Sequence, residues 1–390
     1  MKVLSMRLVA LIAVVSSAAT AVGQVDQVDT AASRKSDWDV EALFARTVVI
    51  DGNVNYYSPI GSGIGCPDFD KDKNGLSVKE ATGINIGAIT LGSLRSMESQ
   101  LAQLEGSRTR AGALRPPKFK GAILIRKAAD LDRAVREKKY GILFYCQAHF
   151  ELKGSIKPLT SYYKKGLRIF QLQYGFHDPN QGPLEKLGGG NDQVGGLTPL
   201  GVKVVRELIR LGMVVDLSHC NEETKLDTCR IAKAWRTPVT ANHTAARNVK
   251  RKDGKFLARY GRNITDKGAK AIADTGGVVA VMAYSGYLSG PYQRVRFSSP
   301  TRGLRGSTID DYVAHIHYLV KLIGADHVGL STDGHMDGTM AHKRKADGIL
   351  DGPRRWKVVI QKLHDRGYTD EDLQKIMGLN FLRVYRKVLK

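Results

Sequence analysis

The sequence predicts an α/β fold of the (β/α)8 TIM-barrel class, and three observations carry that prediction. Short apolar runs rich in β-branched residues recur along the chain, amphipathic helical stretches separate many of them, and polar or titratable residues follow the runs. Strand candidates fall at residues 47–50, 121–125, 141–145, 167–171, 213–217, 238–241, 277–282 and 328–331. Helical patterns at 199–211, 222–233 and 309–323 supply crossovers of the kind that parallel strands require. About eight such units point to a closed barrel rather than an open sheet, and a barrel places its chemistry at the C-terminal ends of its strands. Just past the runs stand Asp51, Gln147, Tyr174, His219, His243 and Asp333.

Taken in order, the chain opens with Lys2 and Arg7, an apolar run from Leu8 to Val15, and the small residues Ser16, Ser17, Ala18, Ala19, Thr20 and Ala21. This is the layout of a secretory signal over residues 1–23, too short to span a bilayer, which takes roughly 20 apolar residues. Export to the periplasm, the medium or the cell surface is therefore expected. Residues 24–37 are polar and aperiodic and read as a linker, with the barrel domain at 38–390. Asp70, Asp72, Asn74 and Gly75 open like a calcium loop, but its twelfth position is Ala81, with Glu80 one residue early, so a surface turn is the better reading.

Bulk properties narrow the function classes. A hydrophobic content of 42% with 25% charged residues fits a globular chain, and four cysteines are too few for a disulfide scaffold. The formal charge of +22 invites a polyanionic partner. Its basic residues are scattered through stretches such as 126–139 and 203–210, without aromatic interleaving or a recognised motif, which argues against nucleic acid. An anionic cell surface is the simpler partner for an exported basic protein, and plain surface solvation is the alternative.

The chemistry-bearing signal is a pair of strand-end histidines. Val214-Val215-Asp216-Leu217-Ser218-His219 and Pro238-Val239-Thr240-Ala241-Asn242-His243 repeat one pattern in successive units, so two imidazoles can converge on one cation. Val328-Gly329-Leu330-Ser331-Thr332-Asp333 adds a carboxylate at a third strand end, placed to move a proton, orient a histidine or cap a helix. Cys220 is a weak extra ligand and by default a buried thiol.

The run Gly196-Leu197-Thr198-Pro199-Leu200-Gly201 ahead of Asp216-Leu217-Ser218-His219 is one of several ordered motifs. Others are Arg262-Asn263-Ile264-Thr265-Asp266 before Gly276-Gly277-Val278, Asp326-His327-Val328-Gly329 with Asp333, and Gly378-Leu379-Asn380-Phe381-Leu382-Arg383. Together they resemble the membrane (renal) dipeptidase family of zinc metallopeptidases, from about residue 48 to residue 384. The resemblance implies an amidohydrolase-type barrel, a surface or exported location, a binuclear zinc site and a metal-bridging hydroxide that attacks a dipeptide carbonyl. It implies that His219 and His243 bind one zinc, that Arg262 pairs with the substrate carboxylate and that Asp333 handles the proton.

The chain departs from that pattern on one side of the site. Where the family has Asp-Gly-His-Xaa-Asp, this chain reads Asp51-Gly52-Asn53-Val54-Asn55; Gln147 replaces the metal-bridging glutamate and Tyr174 the histidine that polarises the substrate. Amides offer a carbonyl oxygen but no negative charge to offset two dications. A binuclear zinc site is therefore not expected. At most one ion is, on His219, His243 and Gln147 as a weak third ligand, with His149, Glu151 or His335 as substitutes. The expected protein is an exported, metal-poor relative that binds a small dipeptide-like or carboxylate-bearing ligand through Arg262, with hydrolysis weakened or lost. The rival is a metallodipeptidase working with a single divalent ion, Asp333 as acid and base, and Tyr174 as carbonyl donor. A third reading, from another class, is a basic adhesive or structural protein of the cell surface. Such barrels often pair as homodimers, a state on which the sequence is silent.

Overall fold

In the computed structural model, eight parallel strands close into a ring. They are β1 (Ile50–Asn55), β2 (Ile86–Leu91), β3 (Tyr140–Cys146), β4 (Leu167–Gln171), β5 (Val214–Asp216), β6 (Thr240–Thr244), β7 (Val278–Met282) and β8 (Val328–Ser331). Each pairs with the next in sequence, and Asp51 against Leu330 joins β8 back to β1. The residues described are 38–55, 82–91, 94–109, 111–117, 121–147, 152, 154–174, 187–190, 194–251, 253–258, 261–289, 307–334 and 354–390. The signal and linker, the calcium-like turn, His149, Glu151 and His335 lie outside them.

The predicted barrel is thus present, with one strand exchanged. Residues 121–125, expected in the ring, give only a short strand at Ala122–Leu124, outside it. That strand pairs with β3 at residues 140–142 and shares this edge with β4, which pairs at 144–146. The strand that completes the ring is instead β2, which pairs with β3 from Ile86↔Gly141 to Leu91↔Cys146. Gly87 weakens the β-branched pattern there and is required: a Cβ at that position would lie 2.1 Å from the Tyr140 hydroxyl. The first strand also starts later than 47–50 predicts and continues into polar residues that belong to the site.

Strands buried on both faces explain the near-continuous apolar runs, as in the fully buried Val278-Val279-Ala280-Val281-Met282 of β7. The helices between strands are set by their caps. Among them are α5 (Pro199–Leu211), α6 (Glu222–Ala234), α7 (Asp266–Ala273) and α9 (Ile309–Ile323), numbered after α1 (Val40–Arg46), α2 (Leu94–Glu105), α3 (Ala128–Arg136), α4 (Lys157–Lys164) and, before α9, α8 (Ser285–Leu288). Thr198 caps α5 through Gly201 N–H, with Pro199 in the first turn and Gly212 leaving it at φ 78°. Asn221 and Thr265 cap α6 and α7, and Thr308 with Asp311 forms a capping box on α9.

Two cores result. The larger lies between the barrel wall and the helices. The smaller brings Ile50, Ala88, Leu143, Ile169, Val214 and Ala280 together with Phe381 and Tyr385 of the last helix, α12 (Asn380–Val388), which follows α10 (Arg355–His364) and α11 (Asp370–Gln374). A Cβ at Gly277, where β7 begins, would lie 1.9 Å from the Val239 carbonyl oxygen, an atom of backbone that cannot swing away. Gly277→Ala is expected to cost about 2–3 kcal/mol by overpacking, read as a lower denaturant midpoint.

His315 of α9 gives a pH prediction. Its Nδ1 accepts the Ala246 N–H at 3.1 Å and its Nε2 donates to the Leu288 carbonyl at 2.8 Å, so the neutral ring is fully paired. Burial lowers its pKa to about 4 from 6.5. The unfolded ring takes up a proton at higher pH than the folded one, so stability is full above about 6.5 and falls on acidification towards 4, by about 1.4 kcal/mol per pH unit. Urea midpoints at pH 7 and pH 5 should show this slope, and His315→Gln should lose its share.

Candidate functional site

At the C-terminal end of β5 the chain turns sharply. Ser218 donates to Asp216 Oδ1 through both its N–H (3.2 Å) and its hydroxyl (2.9 Å), and His219 follows with φ 64°, a conformation that costs a non-glycine residue about 1 kcal/mol. The Ser218 Oγ also accepts the His243 N–H at 3.0 Å, which fixes β6 against the turn. The result is that the two imidazoles meet with their Nε2 atoms 3.1 Å apart. Burial first, then the Arg262 guanidinium, holds both rings far below the ordinary imidazole pKa, so both are neutral and able to donate a lone pair. Behind His243, Nδ1 lies 3.3 Å from the Tyr145 hydroxyl, which also contacts Gln171 Oε1 at 2.6 Å and the Asp216 carboxylate. Tyr174 packs its ring 5.0 Å from that of His219 and is 47% exposed.

Arg262 is buried beneath this pair. It donates from Nη2 to the His243 carbonyl at 2.6 Å, while Nε and Nη1 are buried with no partner among the described residues. Gln147, after β3, is buried with its Nε2 likewise unpaired.

The β1 side is organised differently. The Thr90 hydroxyl donates to Asn53 Oδ1 at 2.6 Å, and Asn53 Nδ2 donates to Asp333 Oδ1 at 2.9 Å. Asp333, at φ 47°, returns its N–H to the Asn53 carbonyl at 2.9 Å. Both ends of the Asn53 amide are therefore occupied by protein. Asp51 turns away: it accepts from the Thr332 N–H at 2.9 Å and from its hydroxyl, which Arg355 also approaches, while burial raises its own pKa. Asn55 closes β1, with its side chain outside the described residues.

These groups fit one cation far better than two. Two nitrogens bound to a single tetrahedral zinc, each about 2.0–2.1 Å from it, stand about 3.3 Å apart, close to the spacing of the histidine pair. An Asn53 oxygen already claimed by Thr90 is a poor ligand for a second ion. Among the described residues no group of three or more His, Cys, Asp or Glu side chains is placed to share a metal.

Tyr145, Gln171, Asp216 and Thr90 were not among the candidates drawn from the sequence. Tyr145 and Gln171 sit inside apolar strand runs and read as core. Thr90 lies on the unexpected strand. Asp216, in the motif that ends at His219, was the one available signal.

Comparison with known proteins places this geometry. Residues 41–390 match the model of the membrane dipeptidase family, peptidase family M19. An uncharacterised dipeptidase of Schizosaccharomyces pombe is 30% identical over 256 residues, covering 64% of this chain and 53% of that protein, so the chain spans about half the length of this relative. The crystal structure of the probable dipeptidase PvdM from Pseudomonas aeruginosa superposes with a TM-score of 0.68 at 21% identity, covering 90% of this chain and 97% of that one. A metallo peptidase from Rhodobacter sphaeroides, liganded with a phosphinate mimic of the dipeptide L-Ala-D-Ala, follows at a TM-score of 0.61 and 17% identity, covering 88% and 99%. With the strand-end histidines, the ordered motifs and the barrel all in agreement, the chain belongs to the membrane dipeptidase family, peptidase family M19.

Proposed function

We propose that this protein binds a small dipeptide-like, carboxylate-bearing ligand at the strand-end site, holds one divalent cation at most, and hydrolyses peptides weakly or not at all. The observation that carries this reading is the Thr90–Asn53–Asp333 chain of hydrogen bonds, which fills with neutral amide the side where a second ion needs anionic ligands. A lone ion loses the help of a neighbour in acidifying its bound water, and Asp333 is engaged by Asn53. Ligand binding rests on Arg262, whose buried Nε and Nη1 await an acceptor, and on the relative from R. sphaeroides that takes a dipeptide mimic. The signal-like residues 1–23 support action outside the cytoplasm.

The histidine spacing favours a second reading, a dipeptidase with one zinc on His219 and His243. Metal analysis of the purified full chain, joined to dipeptide turnover, separates the two. Near one zinc per chain with turnover supports the second reading; two zincs with turnover overturns the first outright. If the first holds, Arg262→Met should weaken dipeptide binding in calorimetry by about 10–100-fold, the loss of a hydrogen bond to a charged group. Asn53→His, Asn55→Asp and Gln147→Glu combined should raise zinc content to two and restore turnover.

A further inference from the structure

We infer that Tyr145 is a positioning residue that fixes the tautomer of His243: its hydroxyl, shared among Asp216, Gln171 and His243, leaves the ring proton on Nδ1 and aims the Nε2 lone pair at His219. This rests on the reading of His219 and His243 as the ligands of at most one cation, and it assigns the part that sets their chemistry.

The argument is a proton count at one oxygen. A tyrosine hydroxyl has a single proton and two acceptor lone pairs. Gln171 turns its Nε2 to the Gln173 carbonyl, so its Oε1, 2.6 Å from the Tyr145 hydroxyl, can only accept. The Asp216 carboxylate is closer still, with Oδ1 already taking the Ser218 N–H, the Ser218 hydroxyl and the Asn242 N–H at 2.7 Å. One proton cannot serve both oxygens, but whichever of them takes it, none is left for His243. His243 Nδ1, the most distant neighbour at 3.3 Å, meets a lone pair and must bring its own hydrogen. Neutral imidazole carries one N–H, so Nε2 is bare, and it is Nε2 that lies 3.1 Å from His219 Nε2. In the metal-free protein the hydrogen between the rings then belongs to His219.

His243 is thus preset as a ligand by buried groups on β3, β4 and β5, in the way that a second partner fixes ring orientation and raises ligand basicity at metal sites. The alternative tautomer would put Nε2–H where a cation has to sit, and would leave the Tyr145 oxygen facing a bare nitrogen.

Nitrogen-15 NMR of the histidine rings in the metal-free full chain, with His243 assigned by loss of its signals in His243→Asn, reads the tautomer directly. The expected result is His243 with its proton on Nδ1, and loss of that preference in Tyr145→Phe together with a 10–100-fold drop in zinc affinity. An Nε2–H tautomer in the native protein overturns the inference, and so does an unchanged Nδ1–H tautomer in Tyr145→Phe. Should Tyr145→Phe not fold, an Nε2–H tautomer in the native spectrum still overturns the inference and an Nδ1–H tautomer supports it. Zinc titration of the native protein is read separately: no binding there, with the Nδ1–H tautomer in place, removes the cation reading and leaves the role of Tyr145 standing.

Discussion

The Asp216 carboxylate is the group on which the architecture of the site depends. Four hydrogen bonds converge on it, from Ser218 N–H, Ser218 hydroxyl, Asn242 N–H and Tyr145 hydroxyl. Asn242 carries the connection on by donating from its amide to the Gly52 carbonyl at 2.9 Å. One buried side chain thereby ties β3, β5, β6 and β1 together at the rim. A carboxylate in such a place is costly unless its lone pairs are filled, and burial raises its pKa despite the donors. The same bonds that meet this cost define the turn into His219 and the height of His243, so loss of any donor would disturb the imidazole pair as well as the barrel.

The fold was legible because a parallel barrel writes itself as repeated apolar runs with helical spacers. Seven of the eight wall strands announce themselves in that way. The eighth does not, since Gly87 is demanded by the Tyr140 hydroxyl and thins the pattern, whereas residues 122–124 carry a strong local signal and reach only the edge of β3. Which of two apolar runs enters the ring is decided by pairing with distant segments, and no local composition encodes it.

The site divides along the same line. Strand-end histidines and the terminal Asp333 can be read from position alone, because the barrel fixes where strand ends point. The amides of the first strand were equally visible as departures from the family pattern. What Asn53 does in their place could not be read: its bonds to Thr90 and Asp333 join three segments, one of them on the strand that local pattern misses. The Asn53 amide, standing where the family pattern has a histidine, is held in a connected structure rather than beside a gap, which distinguishes a reorganised pocket from an eroded one.

The final helix has a consequence for how the molecule comes into being. Phe381 and Tyr385 belong to the same interior cluster as Ile50, although more than three hundred residues separate them in the chain. During synthesis the interior of the ring thus lacks part of its filling until Phe381 and Tyr385 have left the ribosome, and contacts this distant in sequence form late. Ile50 thus waits until nearly all of the domain has been made before its apolar neighbours from the far end of the chain are in place.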